Sequence, residues 1–166
     1  MRYFPKSRES AILLISDLNC ILGVIMSKVI DSFRGKFHWL SNFYSCSVHY
    51  EGLTFGNTEA AFQAAKCLDM KERERFFSLS GGQAKRLGKR VELRPDWNDI
   101  RIDVMREVLR AKFTQNPELR EKLIATGDAE LIEGNKHRDR YWGVCGGVGQ
   151  NHLGKLLMEV RAELVN

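Results

Sequence analysis

Apolar residues recur at helical spacing through the second half of the chain. Leu153, Leu156, Leu157, Val160 and Leu164 follow an i, i+3, i+4, i+7 rule, which predicts a last helix with one stripe turned into a core. Ile102, Met105, Leu109 and Phe113 repeat that spacing after Pro95-Asp96, where Asp96 is placed to cap a new helix. Asn116-Pro117-Glu118 predicts another helix start, combining a cap, a proline at the first helical position and an acid in the first turn. Leu119, Leu123 and Ile124 then point inward, and Gly127 marks the stop.

Nearer the amino end the period changes. Val48-His49-Tyr50 and Leu53-Thr54-Phe55 alternate apolar with polar around Glu51-Gly52, the pattern of a hairpin with a two-residue turn. After Gly56 the pattern becomes helical, with Asn57 or Thr58 as N-cap and Ala60, Ala61, Ala64 and Ala65 sustaining it through Cys67. A charged helix is predicted from Met70 to Leu79, ending at Ser80-Gly81-Gly82, and a short basic one from Gln83 to Arg90. Two stretches lack periodicity. Phe33 to Tyr50 mixes aromatics with Gly, Ser and Asn and predicts an ordered loop before the hairpin. Glu133 to Asn151 is rich in glycine and charge, and so long an irregular segment in a compact domain is usually functional or mobile. The expected fold class is mainly α, a multihelical single domain with a small antiparallel β element near residues 48-55.

Composition narrows the setting. At 166 residues and 43% hydrophobic, the chain can bury one core and is too short for two ordinary domains. The 26 Lys and Arg exceed the 21 Asp and Glu, giving a formal charge of +5 that favours anionic partners such as phosphates or nucleic acid. Cys20, Cys46, Cys67 and Cys145 form no CxxC pair, which points to free thiols in a reducing, cytoplasmic setting. Residues 1-30 read as an extension to a domain of residues 31-166. Arg2, Lys6 and Arg8 precede an apolar stretch from Ala11 to Met26, but Asp17 and Asn19 interrupt it, against both an export signal and a membrane span. Met26 offers a second natural start.

Several familiar motifs fail on inspection. Gly149 to Lys155 satisfies GxxxxGK, yet Leu156 stands where a phosphate-binding loop needs Ser or Thr, and no strand precedes it. His38, His49, His137 and His152 are scattered without ligand spacing, so no metal is expected, and no other cofactor. No GxSxG elbow is present. What remains is Thr58 to Lys66, where Glu59, Gln63 and Lys66 lie at i, i+4 and i+7 and place a carboxylate, an amide and an ammonium on one helix face. That face is either solvated or a site; spacing alone leaves both open.

Separate motifs in one order decide further. Leu40-Ser41-Asn42-Phe43-Tyr44, Thr58-Glu59 through Gln63-Ala64-Ala65-Lys66, Leu93-Arg94-Pro95-Asp96-Trp97, Asp139-Arg140-Tyr141-Trp142-Gly143 and Asn151 to Met158 are similar to successive motifs of the NADAR (YbiA-like) N-glycosidases. The resemblance covers residues 33 to 164, with one departure: Ala60 stands where that family usually has His. It implies a YbiA-like fold and cleavage of a base-ribose bond. Implied substrates are phosphorylated ribosylamine intermediates of the riboflavin pathway, or ADP-ribose attached to guanine, including ADP-ribosylated nucleic acid. A non-catalytic ADP-ribose or nucleotide binder is the alternative. By motif position Glu59 and Asp139 are the expected acids, with Glu59 stabilising the cationic ribose or activating the nucleophile. Lys66 would pair with phosphate or Glu59 as an ammonium, or form a Schiff base with the opened ribose as an amine. Trp97 and Trp142 would flank the substrate or serve as core; Asn42, Phe43, Arg34, Gln63 and Asn151 are expected substrate contacts, turn-capping being the alternative for the asparagines.

Overall fold

A computed structural model describes residues 28–166. The signal-like stretch, Cys20 and most of the 1-30 extension therefore lie outside the described residues. The chain enters through β1, Val29–Ile30, and a 3₁₀ helix over Gly35–Leu40, followed by β2, Ser45–Tyr50, and β3, Leu53–Asn57. Helices α1 (Thr58–Ala64), α2 (Met70–Glu74), α3 (Gly81–Leu87), α4 (Trp97–Gln115) and α5 (Pro117–Ile124) follow, then β4, Glu130–Leu131, and α6, His152–Val165. The helix-rich fold class read from the sequence is the one observed, with the antiparallel hairpin where alternation placed it.

Turn chemistry explains that hairpin. Tyr50 pairs with Leu53, and Val48 with Phe55, across Glu51 (φ 46°) and Gly52 (φ 79°). Two successive positive φ values match the right-handed strand twist, at the cost of placing a glutamate in the left-handed region. The end of α4 is sewn to this hairpin. Gln115 accepts from the His49 N–H at 2.7 Å and donates to its carbonyl at 2.9 Å, while Asn116 donates to the Ser47 carbonyl at 2.9 Å.

The core forms where the stripes meet. Met105, Val108, Leu109 and Phe113 of α4 are buried with Leu153, Leu156, Leu157 and Val160 of α6, each large side chain contributing about 1.5–3 kcal/mol by leaving water. Arg106 bonds Glu159, and Arg110 grips Glu163 at 2.7 and 2.8 Å, along the solvent edge of the same pair. The α1 helix passes through the middle, and every residue from Thr58 to Ala64 is buried. Asn57 caps it, its Oδ1 accepting from Ala60 N at 2.8 Å.

Local expectations depart from the structure in instructive ways. Phe33 to Tyr50 is not one loop, because it holds the 3₁₀ helix and all of β2. Ser80-Gly81-Gly82 does not end a helix; Ser80 and Gln83 form a reciprocal capping box that starts α3. Asp96 and Asn116 make no side-chain cap, since Arg94 holds the Asp96 carboxylate and the Asn116 amide turns back to the Lys112 carbonyl. The parallel pairing of β1 with β4 was not foreseen, two-residue strands being too short to show a period. It brings Val29 and Ile30 into the ladder, ahead of the boundary placed at residue 31.

Candidate active site

A cavity of about 550 Å³ opens between α1, the segment after the 3₁₀ helix, and the irregular stretch that follows β4. Glu59 lines it from α1. The side chain is 6% exposed, and Gln63, one turn along α1, donates to its Oε1 at 2.8 Å. Burial pushes the Glu59 carboxyl above the usual carboxylate range, opposed by the Gln63 bond and by Lys85 and Lys66, while Asp139 adds to the rise. The solvated-face alternative is excluded, because this face lies inside the protein.

The surrounding groups converge from four segments. Asn42 receives Glu59 N–H on its backbone carbonyl at 3.0 Å, and its own side chain is buried with Oδ1 unpaired among the described residues. Lys112 underpins this segment: fully buried between the rings of Tyr44 and Phe113, it donates to the Ser41 carbonyl at 2.9 Å. Burial draws its ammonium down to about 8. Phe43 stands exposed at the rim against Gly81, where a Cβ would come within 2.6 Å of its ring. Arg34 and Lys85 bring positive charge to the lining.

The irregular stretch is built on asparagine bonds rather than helix. Asn135 donates to the Asp139 carbonyl at 2.7 Å and accepts from Asp139 N–H at 3.1 Å. Asp139 Oδ1 in turn accepts from the backbone of Tyr141 at 3.2 Å and Trp142 at 2.9 Å. This turn aims both Asp139 and Trp142 at the cavity. Phe62 sits between the two tryptophans, 5.0 Å from the Trp97 ring and 5.4 Å from that of Trp142. Trp142 is thus a wall of the cavity, and Trp97 is core that supports the wall from behind.

Of the residues singled out by sequence, Glu59, Asp139, Trp142, Asn42, Phe43, Arg34 and Gln63 line one cavity. Lys66, Trp97 and Asn151 do not. Lys66 turns to the Gly88 carbonyl at 3.0 Å and lies 5.8 Å from the Trp97 ring, its ammonium lowered chiefly by burial with Glu59 opposing. Both ends of the Asn151 amide are spent on backbone, accepting from Glu133 N at 3.0 Å and donating to Leu131 O at 2.9 Å. Ala60, the departure from the family pattern, is fully buried and off the cavity lining, so the residue type at 60 makes no direct contact there.

Glu133 is the group that sequence reasoning missed. It lines the cavity, its Oε2 is buried without a partner among the described residues, and burial pushes its carboxyl up to about 7. Its only sequence signal is position, at the head of the irregular charged stretch and six residues before Asp139. No group of three metal-ligating side chains occurs among the described residues.

A helix-rich domain that buries a carboxyl in the wall of a cavity lined by acids and cations is of the class that encloses a small polar ligand and does proton chemistry on it. The chain belongs to the NADAR domain family, whose profile matches residues 31–165. It is 44% identical over 128 residues to the N-glycosidase YbiA of Escherichia coli (strain K12), covering 75% of this chain and 79% of that protein. The NMR structure of E. coli YbiA superposes with a TM-score of 0.74 at 41% identity, covering 84% of this chain and 86% of that one. The riboflavin biosynthesis protein VVA0006 of Vibrio vulnificus (strain YJ016) is 43% identical over 130 residues, 76% of this chain; the match spans only 35% of that longer protein. Among the described residues, no helix is long and apolar enough to cross a membrane.

Proposed function

We propose that this chain is an N-glycosidase that hydrolyses the C1′–N bond of a phosphorylated ribosyl compound. Breaking that bond builds positive charge on the ribose ring, and a carboxylate already held in place stabilises the charge as it forms. The observation that carries the reading is Glu59: buried, donor-bound on one oxygen by Gln63, and lining one cavity with Asn42, Asp139 and Trp142. Asp139 presents its Oδ2, without a hydrogen bond among the described residues, for ribose hydroxyls or an incoming water, its Oδ1 being spent on backbone. Arg34 and Lys85 fit a phosphate at the rim, and Trp142 offers a flat face to sugar or base. Lys66, bonded to a carbonyl outside the lining, acts on Glu59 through charge rather than as a Schiff-base amine.

The substrate is a ribosylaminopyrimidine or ribosylaminouracil phosphate of the riboflavin pathway, or ADP-ribose on guanine. The names of the YbiA and Vibrio relatives support the first. Arg86, Lys89 and Arg90, exposed on and just after α3 beyond Lys85, suit the second if the guanine belongs to a nucleic acid. Product analysis with each candidate is expected to show a free base from one of them, and base release should vanish in Glu59→Gln while ligand binding persists. Binding with no release from the unaltered chain on any candidate would leave a nucleotide binder in place of the enzyme.

A further inference from the structure

We propose that Glu133 is the general acid that protonates the departing base, a role that rests on the glycosidase reading. Glycosidic cleavage needs two groups of opposite character, one ionised beside the anomeric carbon and one carrying a proton beside the leaving atom. The cavity holds three carboxyl groups, and their hydrogen bonds divide the work. Glu59 accepts from Gln63, and Asp139 accepts from two backbone amides, so each has a donor on one carboxyl oxygen. Glu133 is supplied with none. Its Oε2 is buried and has no donor among the described residues, and the residue lines the same cavity as the other two. A buried carboxyl oxygen without a donor is costly as an anion, which favours the neutral O–H form that a general acid needs.

The backbone holds this group to a fixed place. Glu133 N donates to Asn151 Oδ1 at 3.0 Å, and its carbonyl accepts from Val144 N at 2.9 Å. Behind it lies Gly143, where a Cβ would stand 2.2 Å from the Glu133 carbonyl oxygen and 3.0 Å from its Cγ. Absence of a side chain at 143 therefore lets the acid sit back in the wall. The charged and titratable groups around it are Arg34, Lys85, Asp139, Glu59, His38 and His137. Burial outweighs the two cations and carries the carboxyl up to about 7, within reach of proton transfer near neutrality. His38 and His137 border the cavity from exposed positions, without comparable shelter from solvent.

The step balances simply. The C1′–N bond breaks with its electron pair passing to the base nitrogen, which takes the Glu133 proton; water adds to C1′ and gives its own proton to a cavity carboxylate. Proton return to Glu133 closes the cycle with no oxidant or further reactant.

The full-length chain and Glu133→Gln are compared on two substrates: a ribosylaminopyrimidine 5-phosphate, whose base departs poorly without a proton, and 4-nitrophenyl riboside 5-phosphate, whose leaving group needs none. The variant is expected to lose about 10²-fold or more on the first and less than about tenfold on the second. On the unaltered chain, kcat/KM for the first should fall as pH rises through about 7, and that limb should be missing for the second. Equal losses on both substrates would overturn the assignment. So would a titration of ¹³C-labelled glutamate in the unaltered chain that puts Glu133 in the ordinary carboxylate range, a readout that survives a variant failing to fold. Base release by the unaltered chain with an undiminished Glu133→Gln removes the acid role alone. Failure of the unaltered chain on both substrates removes the glycosidase reading, and the acid role with it.

Discussion

Glu59 and Glu133 face one cavity, yet the chain seats them by opposite means. Glu59 rides a fully buried helix and finds its donor within that helix, Gln63 one turn on. Glu133 stands in irregular backbone, has no side-chain donor among the described residues, and is held only through its main chain by Asn151 and Val144. Glu133, and the Gln63 that holds Glu59, are each packed in front of a glycine. Gly88 lies behind Gln63, where a Cβ would come 1.9 Å from Oε1, and Gly143 lies behind Glu133. A helix can present a carboxylate together with its own support, whereas a loop fixes the backbone and leaves the acid's tip unsupported. Burial raises both carboxyls, but only at Glu59 does a side-chain hydrogen bond oppose the rise.

The largest effect is expected on the helical side. Glu59→Gln keeps size and loses charge, so single-turnover base release should slow by about 10³-fold, near 4 kcal/mol of barrier. On the loop side Gly143→Ala strikes backbone, and urea unfolding should show a loss of about 2–3 kcal/mol as the Glu133 carbonyl is forced away. Gly88→Ala sharpens the contrast, because Gly88 has ordinary right-handed helical dihedrals (φ −63°, ψ −9°) that alanine adopts freely. Its stability should change by less than about 1 kcal/mol, while displacement of Gln63 lowers kcat about tenfold with KM little changed.

The smallest effect is a pH dependence. The Glu133 carboxyl rises from 4.5 to about 7 on folding, so its contribution to stability is complete below 4.5 and is lost as pH climbs through 7. Relative to Glu133→Gln, whose amide does not titrate, the unaltered chain should lose about 1 kcal/mol between pH 5 and pH 8, allowing for partial solvent screening. Paired thermal melts at the two pH values would detect it. The opposite sign would mean that Glu133 gains a cation when the chain folds.

Regular elements were legible wherever one face had to be buried. The stripes of α4 and α6 and the Glu51-Gly52 hairpin follow from spacing and turn chemistry, and the structure has them in place. Local caps were less legible, because Arg94 and the Lys112 carbonyl compete for Asp96 and Asn116 through contacts that the neighbouring residues do not announce. Within the candidate site, α1 was readable: Glu59 and Gln63 are one turn apart by sequence and remain so in space. Glu133 was not readable, since its neighbours in the cavity come from β1-proximal, α1, α3 and loop segments that only folding assembles. Lys66 and Asn151 were drawn into the site by their motifs, but each is spent on a backbone carbonyl, a bond decided by tertiary structure.

Asn151 carries a further consequence. In the left-handed region at φ 52°, it grips Leu131 and Glu133 with its amide, and its carbonyl receives Lys155 N at 3.0 Å in the first turn of α6. One residue thus rivets the β4 end, an acid and the carboxy-terminal helix into a joint with no hinge of its own. The acid's backbone and the helix's opening turn therefore share one anchor.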